Sequence, residues 1–235
     1  MLVIVIMLTK EQLDEITRRQ EEKMRQFRAV PENGQIVEYL GKKFVVYKNV
    51  FWPSDDSKAL VENYKINPGE YVLDVCTGSG VISVFSAEKG AKKVVALDIS
   101  PDAVKTAKEN AKLHGFESII DVRLSDMFDA LRNDEEFDVI TANLPFKNRT
   151  ASDSAEATMW DTNLRIQKEF FAKVYKYLKL NGRIYITQSN YGAADEMKQL
   201  AVDSGFDVKL IGEKTMPNND PRVFYAYELT RLGFL

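Results

Sequence analysis

The sequence predicts a doubly wound α/β fold: seven strands in a mostly parallel sheet whose last strand runs antiparallel, with a small N-terminal helix and β-hairpin ahead of it. Three observations predict it. Val72-Leu73-Asp74-Val75-Cys76-Thr77-Gly78-Ser79-Gly80 is an apolar run that ends in an acid and breaks into glycines just before a helix-compatible stretch. Eighteen residues after Gly80, Val94-Val95-Ala96-Leu97-Asp98 is a second strand ending in an acid, the spacing at which a carboxylate meets the two hydroxyls of a ribose in such sheets. Near the end of the chain, strand-like Phe206–Ile211 and Val223–Thr230 are separated only by Gly212 to about Arg222. That is too short for a helical crossover, so this pair is antiparallel.

The 235 residues suffice for one large core with a small appendage. Residues 1–52 are read as the appendage, a candidate substrate-docking extension, and 53–235 as the main domain. The formal charge of −3 offers no global positive field to draw in nucleic acid. Cys76 is the only cysteine, so no internal disulfide forms, and a reducing, cytoplasmic setting follows. Beside the glycines it reads as a small buried apolar residue. Met1–Met7 is apolar but too short to span a bilayer and lacks the flanks of a signal peptide. Met7 is an alternative start, because Thr9-x-x-Gln12 then opens a helix as a capping box.

Taken in order, Lys10 to about Arg28 is charged, glycine-free and helix-prone, with Leu13, Ile16, Met24 and Phe27 as its contact side; Pro31-Glu32-Asn33-Gly34 ends it. Gln35–Leu40 and Lys43–Val50 alternate as two strands turning at Gly41. Ser54-Asp55-Asp56-Ser57 caps a helix through Ala59, Leu60 and Val61. Strand Tyr71–Val75 precedes a helix over Val81–Lys89. Strand Lys93–Leu97 leads to Ser100-Pro101, a cap and first-turn proline, with a stripe at Val104, Ala107 and Ala111. Strands follow at Ile119–Leu124 and Phe137–Ala142, then a long helix from about Asp161 to Leu180. Asn181-Gly182 stops it ahead of strand Arg183–Gln188, and a helix at Ala193–Ser204 precedes the reversed pair. His114, the sole histidine, sits at a helix end as a C-terminal dipole contact.

A strand that stops at glycines exposes backbone N–H groups to a ligand at the start of a helix. With Asp98 in place, the ligand is a nucleoside-containing cofactor. Gly78-Ser79-Gly80-Val81-Ile82-Ser83 lacks the third glycine of a dinucleotide fingerprint, which argues against a nicotinamide oxidoreductase. The Asp-x-x-x-Gly-x-Gly form with its second acid instead resembles the first two motifs of class I S-adenosylmethionine-dependent methyltransferases, and the terminal reversed pair suits their sheet.

Asn143-Leu144-Pro145-Phe146 follows the fourth parallel strand, beside the switch point where open sheets bind ligands. A planar NH₂ group is a poor nucleophile because its lone pair is delocalised. Accepting hydrogen bonds from both its N–H groups favours a geometry with the lone pair aimed at an electrophile. The Asn143 side-chain carbonyl and the Leu144 main-chain carbonyl are two such acceptors. Pro145 holds Leu144 extended, and Phe146 offers an aromatic face for stacking and for positive charge. Orientation supplies the gain; the proton leaves after transfer.

These four residues resemble the Asn-Pro-Pro-Tyr/Phe motif of amino-group methyltransferases, and most of all the HemK-like group, which methylates a glutamine amide of translation release factors. The likeness covers roughly residues 35–230. Gly41-Lys42-Lys43-Phe44-x-x-Tyr47-x-x-Val50-x-x-Pro53 resembles the group's hairpin and access loop, Asn110-Ala111-x-x-x-Gly115 matches its cofactor half, and Ser125-Asp126-Met127-Phe128 its adenine-side segment. The resemblance implies S-adenosyl-L-methionine as cofactor and no metal. Its amino-acid end would rest on Asp74 and the Cys76, Thr77, Gly78, Ser79 and Gly80 turn, and its ribose on Asp98 with Ile99 alongside. Asp126 would meet the adenine amine, Met127 its ring, and Asn143 would hold the acceptor nitrogen. Leu144 departs from the motif's first proline, Pro53-Ser54-Asp55-Asp56-Ser57 from the group's Pro-Arg-Pro-Glu-Thr-Glu segment, and one helix stands for its helical substrate domain.

The expected function is therefore N-methylation of a planar amide or exocyclic amine in a macromolecule, first a protein glutamine. An RNA base amine and a cofactor-binding scaffold without turnover are the alternatives. The segment Phe146–Trp160 reads either as a loop ordering over the acceptor or as a plain solvated loop.

Overall fold

The computed structural model describes residues 8–233; the expectations for Met1–Met7 lie outside them. Helix α1 (Lys10–Ala29) begins at the expected capping box, in which Thr9 and Gln12 exchange backbone-to-side-chain bonds. It buries Ile16, Gln20, Met24 and Phe27. Leu13 is not part of that face: it is 40% exposed, and the buried polar Gln20 takes a place in the stripe instead. Strands β1 (Gln35–Tyr39) and β2 (Lys42–Val46) form the antiparallel hairpin. The second strand ends four residues earlier than expected, because Asn49 turns the chain at positive φ and donates its N–H to the Phe27 carbonyl.

Helix α2 (Asp55–Val61) leads into the main sheet. In chain order come β3 (Tyr71–Val75), α3 (Val81–Glu88), β4 (Lys93–Asp98), α4 (Pro101–Leu113), β5 (Ile120–Leu124), β6 (Phe137–Ala142), α5 (Ser154–Ala157), α6 (Arg165–Tyr177), β7 (Leu178–Ser189), α7 (Ala194–Asp203), β8 (Phe206–Thr215) and β9 (Val223–Arg231). Spatial order in the seven-stranded sheet is β5-β4-β3-β6-β7-β9-β8. The first five run parallel, and β9 is antiparallel to both β7 and β8. Apolar cores lie on both faces, one around Leu73, Ile140, Phe170 and Ile184, the other around Leu60, Val72, Ile82 and Tyr185.

Three boundaries differ from the sequence expectation. Asn163 and Leu164 take positive φ in a short 3-10 turn, so α6 starts at Arg165; Asp161 caps it by accepting from the Ile166 and Gln167 N–H groups. That helix ends at Tyr177, before the Asn181-Gly182 pair, which lies inside β7 where the pairing with β6 shifts register. A Cβ at Gly182 would strike the Leu178 side chain, so glycine serves the bulge rather than a helix stop. Strand β8 continues to Thr215, leaving a shorter loop that turns at Asn218 and Asn219.

The hairpin is stapled to the main domain by one side chain. Fully buried Asn110 on α4 accepts from the Val45 N–H and donates to the Val45 and Ser79 carbonyls, joining β2, α4 and the glycine turn. Replacing it removes three bonds and strands backbone groups. Asn110→Ala is expected to lower unfolding free energy by about 2–4 kcal/mol, read by chemical denaturation; a loss under ~0.5 kcal/mol would mean the staple is idle.

Candidate active site

At the carboxyl ends of the parallel strands the chain encloses a cavity of about 500 Å³. Its floor is the turn after β3. Cys76, Gly78 and Gly80 all hold positive φ, and Gly80 begins α3 so close to α4 that an added Cβ would lie 2.9 Å from that of Ala107. Only glycine satisfies both conditions. Beneath the turn, fully buried Asp74 accepts from Thr77 and Ser83 hydroxyls at 2.6 Å and from Thr141 at 2.8 Å. Burial pushes its carboxyl up and the three hydroxyls oppose that.

Asp98 ends β4 at the cavity wall. Its two oxygens accept from the Gly78 N–H at 2.8 Å and the Ser100 N–H at 2.9 Å. Burial raises its pKa while these two bonds lower it, and lone pairs remain for a ligand hydroxyl. Cys76, Thr77, Gly78, Ser79, Asp98 and Ile99 line the cavity together with Asn143, Leu144, Pro145 and Phe146. Asp74 and Gly80 shape the turn without lining it, and Asp126 and Met127 do not line it either. Asp126 is exposed, while the Met127 side chain packs into the core around Leu97 and Phe128. Cys76 is half-buried at the cavity, not a plain core residue.

Asn143 follows β6. Its Nδ2 donates to Asp56 at 3.1 Å and its Oδ1 accepts from the Thr187 hydroxyl. Asp56 also accepts from the Ser54 hydroxyl and the Ser57 N–H. Among the described residues none donates to the Leu144 carbonyl. Phe146 is pinned by its carbonyl, which accepts from Ala193, and by Gly192, where a Cβ would lie 2.9 Å from its ring; Tyr191 meets it edge-on at 5.7 Å.

The sequence reading did not assign α1 to the cavity. Arg19, Gln20 and Lys23 of α1 line it as a roof, together with Ser154, Ala157 and Met159 of the segment read either as a loop over the acceptor or as a plain solvated loop. The two roof pieces are joined by Lys147 to Thr17 and Gln20, by Arg28 to Asp153 at 2.6 Å and by Arg149 to Glu21 at 3.4 Å. Segment Phe146–Trp160 is thus neither bare nor solvated throughout: Trp160 is buried, with Arg149 over its ring at 4.0 Å. Lys23 sits above Phe51 at 5.1 Å, and burial lowers its pKa. Asp56 and Thr187 were missed too. The signals were a second acid in Ser54-Asp55-Asp56-Ser57, read as a cap and as a departure from the group's Pro-Arg-Pro-Glu-Thr-Glu segment, and the polar Thr187-Gln188-Ser189 run, fully buried at the end of β7.

The donor set suits a nucleoside. A carboxylate with spare lone pairs faces the cavity beside a glycine turn without side-chain bulk, and Val81, Ile82, Phe51 and Ile99 supply apolar wall. Among the described residues no group of His, Cys, Asp and Glu is arranged to hold a metal, and no helix is long and apolar enough to cross a membrane.

The chain is similar to known proteins. Residues 66–224 match the family described as "Methyltransferase domain". A Methanocaldococcus jannaschii protein bearing the provisional name protein N5-glutamine methyltransferase is 32% identical over 200 residues, covering 83% of this chain and all of that protein. A release factor glutamine methyltransferase of Koribacter versatilis is 29% identical over 182 residues, 71% of this chain but only 64% of that longer protein. In fold, the chain is similar to a T. thermophilus 16S rRNA N2 methyltransferase solved with AdoMet and guanosine. That likeness has a TM-score of 0.62 at 17% identity, over 84% of this chain and 50% of that one.

Cys76 offers a direct probe of the cavity. Burial, reinforced by Asp98, pushes its thiol well above the usual range, and only the thiolate alkylates. Iodoacetamide at pH 8 is expected to modify it at least ~10-fold more slowly than a free cysteine, and S-adenosylhomocysteine should slow it further. Mass spectrometry against time checks both; a rate matching free cysteine, indifferent to the nucleoside, would contradict the geometry.

Proposed function

For this chain, which belongs to the class I S-adenosylmethionine-dependent methyltransferases, we propose that the methyl acceptor is the side-chain amide of a protein glutamine, of the release-factor type. The observation that carries the reading is that Asn143 and Leu144 line the same cavity as the Cys76–Ser79 turn and Asp98. Two oxygens that only accept hydrogen bonds suit the two N–H groups of a primary amide, and a carboxylate beside the glycine turn suits a ribose.

Asp98 would take the sugar hydroxyls, and the turn's backbone would hold the amino-acid end of the cofactor. When bound, S-adenosylmethionine supplies a methyl group on a positively charged sulfur, open to attack by a nitrogen lone pair. Asn143 and Leu144 accept from the acceptor NH₂ and fix its plane, so that its lone pair points into the cavity. Phe146, held by Gly192 and Tyr191, covers the acceptor's flat face. Leu144, Pro145 and Met159 keep the reacting region apolar, which strengthens each hydrogen bond there. The acceptor nitrogen, once methylated, would release its extra proton to water, so no strong base is required of the chain.

The two roof pieces meet through surface ion pairs worth little individually, the Lys147 bonds to Thr17 and Gln20, and a small apolar cluster of Met24, Phe27, Met159 and Trp160; a macromolecular acceptor would enter beneath them. Protein is preferred over RNA because the acceptor end carries Asp55 and Asp56 against Lys23, and Arg19 and Arg222 share Asp220. Little positive charge is left there for a phosphate backbone.

Radiolabelled methyl transfer into a recombinant release factor, and into a cell extract divided by protease and nuclease, tests the reading. Label lost to protease supports it; label lost to nuclease transfers the role to an RNA amine, and absence of label leaves a binding scaffold. Asn143→Ala is expected to cut turnover at least ~100-fold with S-adenosylhomocysteine affinity nearly intact. Asp98→Ala is expected to weaken that affinity by about 1.5–3 kcal/mol, read by calorimetric titration. Unchanged turnover in the first, or unchanged affinity in the second, removes the corresponding role.

A further inference from the structure

The amide of Asn143 has two ends of nearly the same shape and opposite chemistry. Only the carbonyl end can accept from an acceptor N–H; a half-turn about the last side-chain bond would present NH₂ instead and repel it. An asparagine alone at a cavity wall has little to choose between the two. In this protein two neighbours from different elements decide it. Asp56, on the first turn of α2 and only 3% exposed, offers Oδ2 to the asparagine's Nδ2 at 3.1 Å, while its other oxygen is taken by the Ser54 hydroxyl at 2.6 Å and the Ser57 N–H at 2.7 Å. Thr187, buried at the end of β7, donates its hydroxyl to the asparagine's Oδ1.

The two contacts are not equivalent. A carboxylate only accepts, so the flipped amide would set a carbonyl against a negative charge with no proton between them. A hydroxyl both donates and accepts, so Thr187 tolerates either end. Asp56 therefore selects the orientation, and Thr187 occupies one of the two lone pairs on the carbonyl, leaving the other for the acceptor. The negative charge on the NH₂ side also polarises the amide and strengthens its carbonyl as an acceptor.

We propose that Asp56 and Thr187 are positioning residues that lock the Asn143 amide with its carbonyl free toward the acceptor, Asp56 as the selector and Thr187 as the brace. The proposal rests on the reading that Asn143 receives the acceptor's N–H.

The full-length protein carrying Asp56→Ala, Asp56→Asn, Thr187→Val or Thr187→Ser is compared with Asn143→Ala, using labelled S-adenosylmethionine and a recombinant release factor, after thermal melting and S-adenosylhomocysteine titration of each variant. The Asn143 side-chain NH₂ signal is followed in parallel by isotope-edited NMR, which requires no turnover. Asp56→Ala is expected to lower kcat about 10- to 100-fold, the scale of losing a partner that orients a catalytic ligand, with the KM for cofactor unchanged. Thr187→Val should cost less and Thr187→Ser should behave as native. Asp56→Asn keeps an acceptor and the shape, so it should fall between, and it carries the test should the alanine variant not fold. The NH₂ signal should move markedly in Asp56→Ala and little in Thr187→Val.

If Asn143→Ala abolishes turnover while both Asp56 variants stay within twofold of native, the clamp is wrong and the functional reading stands. If Asn143→Ala leaves turnover intact, or no variant including native labels the factor, the functional reading fails and the NMR signal alone decides. A signal unmoved by loss of Asp56 then overturns the clamp altogether, and a shifted one upholds Asp56 as the partner that holds the amide while its role toward an acceptor falls with the functional reading.

Discussion

The buried carboxylate of Asp74 is the knot from which both halves of the site hang. A charge without access to water is costly unless every lone pair finds a proton, and three hydroxyls answer it from three places: Thr77 in the glycine turn, Ser83 in α3 and Thr141 in β6. The turn that lines the cavity and the strand that ends immediately before Asn143 are thereby fixed to one another at a single atom group. Register reinforces this, since Asp74 pairs with Thr141 on one side and Ala96 on the other. That places Asp98, the turn and Asn143 on one edge of the sheet. The distance between the two chemical halves is a property of the sheet, not of loops.

The elements ahead of the sheet take their place from that same edge. Asn110 ties β2 to the carbonyl of Ser79 within the turn, Phe27 of α1 packs on Phe51 and Trp52, and α2 presents Asp56 to Asn143. Residues that sequence reading set apart as an appendage therefore wall the cavity. The same reasoning suits a macromolecular acceptor, because the roof is made from the two parts of the chain least bound into the sheet.

What could be read from the sequence was what local pattern encodes. The strand-to-glycine break at Val75–Gly80, the acid at Asp98, the Asn143–Phe146 segment and the reversed final pair each announce themselves within about ten residues, and each stands where expected. The losses were long-range. Leu13 looks like a helix contact until Gln20 is seen buried in the stripe to hold Lys147. Asn181-Gly182 reads as a helix stop until the pairing of β7 with β6 begins at Leu178. Met127 is one residue from an exposed acid yet turns into the core at positive φ. Asp56 and Thr187 meet Asn143 from 87 and 44 residues away; a second acid in a cap and a threonine in an apolar strand acquire meaning only once the sheet brings them together.

Leucine at position 144 shows why a departure from a motif need not undo its chemistry. A proline there would stiffen the backbone through its ring; the leucine achieves a similar restriction by another route. Its side chain is buried in the core around Leu73, Val75 and Phe170, and the following Pro145 keeps the residue extended. A backbone rotation at Leu144 that withdrew this side chain from the core would cost about 1.5–3 kcal/mol for exposing a leucine. That keeps the side chain buried, and the backbone beside it restrained, in more than about nine in ten molecules. Packing from below and a proline from ahead thus restrain the backbone that carries the proposed second acceptor, where a ring would have restrained it covalently. Its partner, the Asn143 amide, is held in the same spirit, by neighbours rather than by its own geometry.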